Sequence, residues 1–143
     1  MLFIILLVLA RSSYAMAMEY RYHNYTEMTS ILQNFAFQYP TKASLVEVGK
    51  SYGGRSLWAI ALSASSPDKH VFLRPEVKYI GNMHGNEVVG LEVLLYLIEY
   101  LLTSTDEQAT KLMNSSRIWI MPSMNPDGLA RSTTGDCTST NGR

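Results

Sequence analysis

The chain is 143 residues long, with 47% hydrophobic and 17% charged residues. That is enough apolar matter for a packed core, which excludes a disordered tail, and enough length for one domain or a piece of one. Twelve Lys+Arg balance twelve Asp+Glu, so no basic field exists to collect phosphates and no nucleic-acid partner is expected.

The apolar run at residues 2–10 is shorter than the roughly 20 residues a spanning helix needs, and it has the length of a signal-peptide core. Ser13-Tyr14-Ala15 and Ala15-Met16-Ala17 both read small-x-small. Residues 1–17 are therefore read as a signal peptide cut near Ala15 or Ala17. The usual positive residue ahead of the run is missing, since Arg11 lies on its far side. The competing reading is a buried N-terminal strand or a weak anchor. Two N-glycosylation triplets, Asn24-Tyr25-Thr26 and Asn114-Ser115-Ser116, agree with a secretory route. The expected location is secreted, or the extracellular face of the membrane. In that oxidising setting the single Cys137 is either a free thiol or half of a bridge whose partner lies outside this chain.

From residue 18 onward, Thr26 is a candidate N-cap, and Met28, Ile31, Leu32, Phe35 and Tyr39 follow at helical spacing until Pro40. A short strand at residues 45–48, a turn at 49–55 and a strand-like stretch at 57–62 predict a β-hairpin. A polar loop at residues 63–75 leads to a strand at 77–80. An apolar stretch at 91–102 is hydrophobic almost all round and reads as a buried helix. A shorter helix at 106–113 and a strand at 118–121 follow, and the chain reads as turn from Asn125 onward. An apolar strand feeding a helix and then a second apolar strand is a βαβ crossover. The fold class is α/β with helices on both faces of the sheet. Ligands in such sheets sit at the carboxyl ends of strands, which points to the loops after Ile80 and Met121.

The first of these loops, Gly81-Asn82-Met83-His84-Gly85-Asn86-Glu87, places an imidazole and a carboxylate three residues apart before a helix. A catalytic zinc takes three N or O ligands and keeps one position for water. His84 and Glu87 are two such donors, and Gly85 allows the backbone to turn between them. The bland alternative is a helix cap beside a surface residue.

The segment from Tyr79 to Glu87 resembles the first zinc-ligand motif of the zinc metallocarboxypeptidases. Met121-Pro122-Ser123-Met124-Asn125-Pro126-Asp127-Gly128 is similar to their second signature block, at matching separation. Gly49-Lys50-Ser51 with Gly54-Arg55 resembles the early hairpin of the regulatory (N/E) branch, and the segments at residues 20–28 and 114–118 look most like its M member or a repeat of its D member. Residues 18–143 are thus read as the N-terminal part of a metallocarboxypeptidase catalytic domain. The resemblance implies a mixed sheet of about eight strands, Zn2+ as cofactor, and hydrolysis that releases one C-terminal residue, Lys or Arg, from peptides and proteins. It makes His84 and Glu87 zinc ligands and Arg143, after Gly142, the group that polarises the scissile carbonyl. Asp127 is read as structural, His23 and His70 as non-ligands, Trp58 and Trp119 as core packing, and Met83, Met121 and Met124 as packing under the site.

The pattern also implies pieces that these residues lack: a third zinc ligand, a general-base Glu, the Asn-Arg pair that holds the substrate carboxylate, and the pocket residue that selects basic side chains. Asn141 is not that Asn. The fold is therefore expected to be truncated at its C-terminal side, with an unpaired sheet edge, one bare helix face, a tendency to aggregate, and no peptidase activity from these residues alone. Membrane attachment would have to come through a C-terminal segment not contained here. The alternative is a non-catalytic secreted binding module that keeps only the start of the fold.

Overall fold

The computed structural model describes residues 18–136 and 142–143. The signal-peptide expectation, Cys137 and Asn141 lie outside the described residues. Helix α1 (Tyr25–Gln38) begins at Asn24 rather than at Thr26. The Asn24 carboxamide oxygen accepts from the Glu27 backbone N–H at 3.0 Å, and the Glu27 carboxylate accepts from the Asn24 N–H at 2.9 Å. This reciprocal capping box satisfies two donors that the first turn would otherwise leave open. The Asn-x-Thr triplet thus also starts a helix.

Strands β1 (Ala43–Lys50) and β2 (Ser56–Leu62) form the expected antiparallel hairpin, with a register shift between Glu47 and Gly49. Strand β3 (Glu76–Ile80) is followed by α2 (Val89–Thr103), α3 (Glu107–Ser115) and β4 (Arg117–Met121). β4 pairs parallel with β3 and antiparallel with β2, so the sheet is mixed, in the order β1-β2-β4-β3. A short helix, α4 (Pro126–Arg131), occupies part of what the sequence reads as turn. Pro126 opens it and the Asn125 carboxamide oxygen accepts from the Gly128 N–H at 2.8 Å, a local device that a count of apolar positions does not detect.

Ile60, Leu62, Ile118 and Ile120 point to one face of the sheet. They join one cluster with Met28, Leu32 and Phe35 of α1, Leu91, Leu95 and Ile98 of α2, Met113 of α3 and Leu129 of α4. Of the two helical layers expected, the described residues supply this one. The opposite face carries Val48, Lys78, Ile80, Trp119 and Met121 around a hollow of about 340 Å³. Among the described residues β3 pairs only with β4, which leaves its other edge open. Helix α2 also keeps an exposed apolar stripe, Val89, Val93 and Tyr100. The unpaired edge and the bare helix face that the sequence implies are therefore both present among the described residues.

Trp119 is not a core residue. It lies half-buried on the open face, its indole N–H donates to Glu76 Oε2 at 3.0 Å, and the Arg117 guanidinium sits 5.0 Å from its ring centre. Glu76 also receives Arg117 at 2.6 Å and faces the His70 imidazole at 2.9 Å. His70, then Trp119 and Arg117, draw the Glu76 carboxyl down to about 2 against the opposing effect of desolvation. His23 is similarly engaged elsewhere. It is buried, its Nδ1 lies 2.8 Å from Glu92 Oε2, and its backbone N–H donates to Glu92 Oε1 at 2.7 Å. This pair fastens the segment ahead of α1 to α2. Removing one member of a buried pair costs about 3 kcal/mol. Glu92→Ala is expected to lower unfolding stability by about that much in urea titration, and Glu92→Gln, which still accepts hydrogen bonds, by less.

Candidate metal centre

The carboxyl ends of β3 and β4 meet at one place. The Gly81 N–H donates to Met121 O at 2.9 Å, Met124 N–H to Gly81 O at 3.0 Å, and Asn125 N–H to Asn82 O at 3.1 Å. These bonds extend the parallel pairing past the strands and bring the two signature blocks side by side.

Asn82 organises the first block. It adopts φ 49°, a left-handed conformation that Asn tolerates better than most residues. Its buried carboxamide NH2 lies 3.0 Å from His84 O, 3.1 Å from Gly85 O and 3.1 Å from Glu87 O, and its oxygen accepts from the Ser123 hydroxyl at 2.7 Å. One side chain thus curls residues 82–87 into a compact loop and ties that loop to the second block. Neither Asn82 nor Ser123 stands out by residue type. The available signal is an Asn directly after the strand-ending Gly81.

The glycines of the site serve close approach more than turning. A Cβ on Gly85 would fall on the backbone of Gly128 and Leu129, and one on Gly128 would meet Gly142 O. Gly85 therefore lets the loop lie against α4, in addition to the backbone freedom read from the sequence. Its N–H donates to Gly142 O at 2.6 Å, which docks the Gly142-Arg143 pair beside the loop. Gly142 has φ +87° and its Cβ position is filled by Gly128 O, so a side chain there is excluded twice over.

On this scaffold His84 Nδ1 and Glu87 Oε1 face each other at 3.0 Å, both partly exposed. The Arg143 guanidinium lies 3.8 Å from the same Glu87 oxygen. The three residues singled out from the sequence are thus brought together at the lip of the sheet. Asn24 and Asn114 lie far along the chain from them, exposed at the start of α1 and in the last turn of α3. Met83 and Met124 are exposed rather than packed beneath the site: they lie on the loops beyond the strand ends, outside the helix-covered face.

The donor set suits a borderline cation such as zinc, with one imidazole nitrogen and one carboxylate oxygen. Two donors bound tetrahedrally to one zinc stand roughly 3.4 Å apart, close to the separation seen. Among the described residues no group of three His, Cys, Asp or Glu side chains could hold a metal. His84 and Glu87 thus fit two positions of a zinc site.

Asp127 supports this corner from behind. It is buried, and its carboxylate accepts from the Ser51 hydroxyl, the Gly53 N–H and the Arg55 guanidinium, each at 2.8 Å. The turn of the β1–β2 hairpin is thereby pinned to α4, and a Cβ on Gly53 would meet Asp127 Oδ1 at 2.6 Å. The hairpin motif and the second block, far apart in sequence, are two halves of one contact.

A model of the zinc carboxypeptidase family matches residues 28–143. The chain belongs to the zinc carboxypeptidase family. It is 49% identical over 127 residues to carboxypeptidase D of Anas platyrhynchos, covering 87% of this chain and 9% of that protein. It is 44% identical over 129 residues to carboxypeptidase M of Mus musculus, covering 89% of this chain and 29% of that protein. The solved structure of carboxypeptidase A from Helicoverpa armigera matches with a TM-score of 0.69 at 32% identity, over 76% of this chain and 25% of that one. The chain therefore spans less than a third of the length of each of these relatives.

The Gly53 N–H, then the Ser51 hydroxyl and the Arg55 guanidinium, hold the Asp127 carboxyl below its ordinary value, against desolvation. A folded value below the unfolded one, about 3.9, stabilises the fold above that pH, and the gain is lost as pH falls through the folded value. Asp127→Asn is expected to be clearly less stable than the parent at pH 7, with the gap closing below about pH 4, as followed by denaturant midpoints across pH. Gly85→Ala is expected to cost about 1–3 kcal/mol by the same measurement, because the obstacle is backbone that cannot rotate away.

Proposed function

We propose that His84 and Glu87 are the first two zinc ligands, and Arg143 the carbonyl-polarising group, of a metallocarboxypeptidase that releases C-terminal Lys or Arg from peptides and proteins on the secretory route. The observation that carries this reading is the convergence of His84 Nδ1, Glu87 Oε1 and the Arg143 guanidinium on one exposed lip. When bound, zinc supplies Lewis acidity and lowers the pKa of its water. His84 and Glu87 provide the nitrogen and oxygen that would hold it, and the bonds of Asn82 to the loop carbonyls keep both side chains on the same side. Arg143 presents a permanent positive charge to the oxyanion that develops on the scissile carbonyl. The near contact with Glu87 and the Gly85–Gly142 bond set where that charge sits.

A third ligand, the general base and the residues that read the substrate carboxylate and side chain would come from outside these residues. Two ligands do not make a catalytic site of normal affinity, so these residues alone are expected to be inert. Where the mature protein resides, its sugars at Asn24 and Asn114, and any membrane attachment belong to the same proposal. No described helix is long and apolar enough to cross a membrane.

The test uses the whole protein that carries this segment, assayed on peptides ending in Lys, Arg or Leu. Hydrolysis of the basic ends is expected, with zinc content near one per chain. His84→Ala and Glu87→Ala should lose both zinc and activity. Arg143→Met should keep zinc and lower kcat about 100- to 1000-fold with little change in KM. Full zinc content and full activity in the His84 and Glu87 variants would refute the assignment. A folded whole protein with no hydrolysis and no zinc would favour a binding module instead.

A further inference from the structure

Met18, at the start of the described chain, makes an interaction that the metal centre does not use. Its backbone N–H lies 2.9 Å from Glu99 Oε1 on α2, and its side chain is buried in the core cluster. The other α2 carboxylate on this side, Glu92, faces the His23 imidazole. Glu99 has no such partner: among the described residues no Lys, Arg or His forms an ion pair with it. Arg21, the cation of the same segment, is engaged by Glu19 at 2.7 Å and Glu27 at 2.9 Å. A half-buried carboxylate thus spends a hydrogen bond on a neutral amide, a weaker arrangement than one with a charged donor.

The sequence directly upstream can supply the missing charge. Ala15 and Ala17 occupy the two small-residue positions read by a secretory signal peptidase that cuts after Ala17. Hydrolysis of the Ala17–Met18 bond consumes one water, leaves a carboxylate on Ala17 and leaves an amine on Met18. That amine takes up a proton near neutral pH. A cut after Ala15 would instead place the new amine two residues away from Glu99.

We propose that the Ala17–Met18 bond is the processing site of this chain and that Glu99 is the receptor for the α-ammonium group created there. Cleavage occurs before folding, and the new terminus then folds onto α2 as a salt bridge. The stacked Tyr20 and Tyr96 rings, 4.9 Å apart, and the bond from the Tyr96 hydroxyl to Glu19 O at 2.9 Å hold the flanking segment in place.

The test expresses the whole protein that carries this segment, from Met1, in a secreting eukaryotic host and reads the first residue of the recovered protein by mass spectrometry. Met18 is expected, and Met16, Met1 or any other first residue overturns the proposal. On the recovered protein, acylation of the α-amine by acetic anhydride is expected to run about tenfold slower in the folded chain than in urea, because a paired ammonium is seldom deprotonated. Glu99→Gln should abolish that protection, while Glu19→Gln should leave it. Equal folded and unfolded rates in the parent chain overturn the receptor role, and this comparison decides alone if Glu99→Gln is recovered only unfolded.

Discussion

The site depends on the bonds of one buried side chain. The Asn82 carboxamide reaches three carbonyls of its own loop and the hydroxyl of Ser123. A loop leaving a strand end has no ladder to satisfy its backbone, and buried carbonyls without donors are costly. Asn82 supplies those donors from a single point, so the loop has one conformation rather than many. That conformation turns His84 and Glu87 toward each other. The left-handed backbone at Asn82 is the local strain that this arrangement accepts.

Around that point the structure is assembled by close backbone approach. Gly85, Gly128 and Gly142 pack so tightly that a Cβ on any one of them would strike the backbone of another. This brings the Gly142-Arg143 pair to the loop with no intervening side chain. Asp127 extends the same construction to the hairpin turn through three donors. Three stretches of sequence, the hairpin turn, the loop after β3 and the segment after β4, thus form one mechanical unit at the carboxyl ends of the parallel strands. The proposed metal and oxyanion chemistry requires donors held to within fractions of an ångström. Paired polar groups and glycine contacts provide such rigidity where an exposed apolar patch would not.

The open face and edge are the counterpart of this ordered corner. Val48, Ile80 and the exposed stripe of α2 leave apolar surface in water, a feature that marks interaction surfaces or aggregation hazards. On the covered face, by contrast, helices α1 to α4 of the described residues share a single core. The hydrogen-bonded cluster of Glu76, His70, Arg117 and Trp119 lies on and beside the open face, so that face is not uniformly apolar.

Hydrophobic periodicity and punctuation were sufficient for the element order as far as β4, the hairpin and the parallel β3–α2–β4 crossover, because those features follow from local spacing. The two signature blocks were legible through their resemblance to a known family, and that resemblance, more than the spacing of an imidazole and a carboxylate, singled out His84 and Glu87 as candidate ligands. Only the tertiary structure decided what Asn82, Ser123, Asp127 and the glycines do, what His23 and Glu92 are for, and that Trp119, Met83 and Met124 stand outside the core. Ser123, Asp127 and His23 take their roles from partners 41, 76 and 69 residues away, across a gap of one hydrogen bond, and spacing along a chain carries no record of such distances.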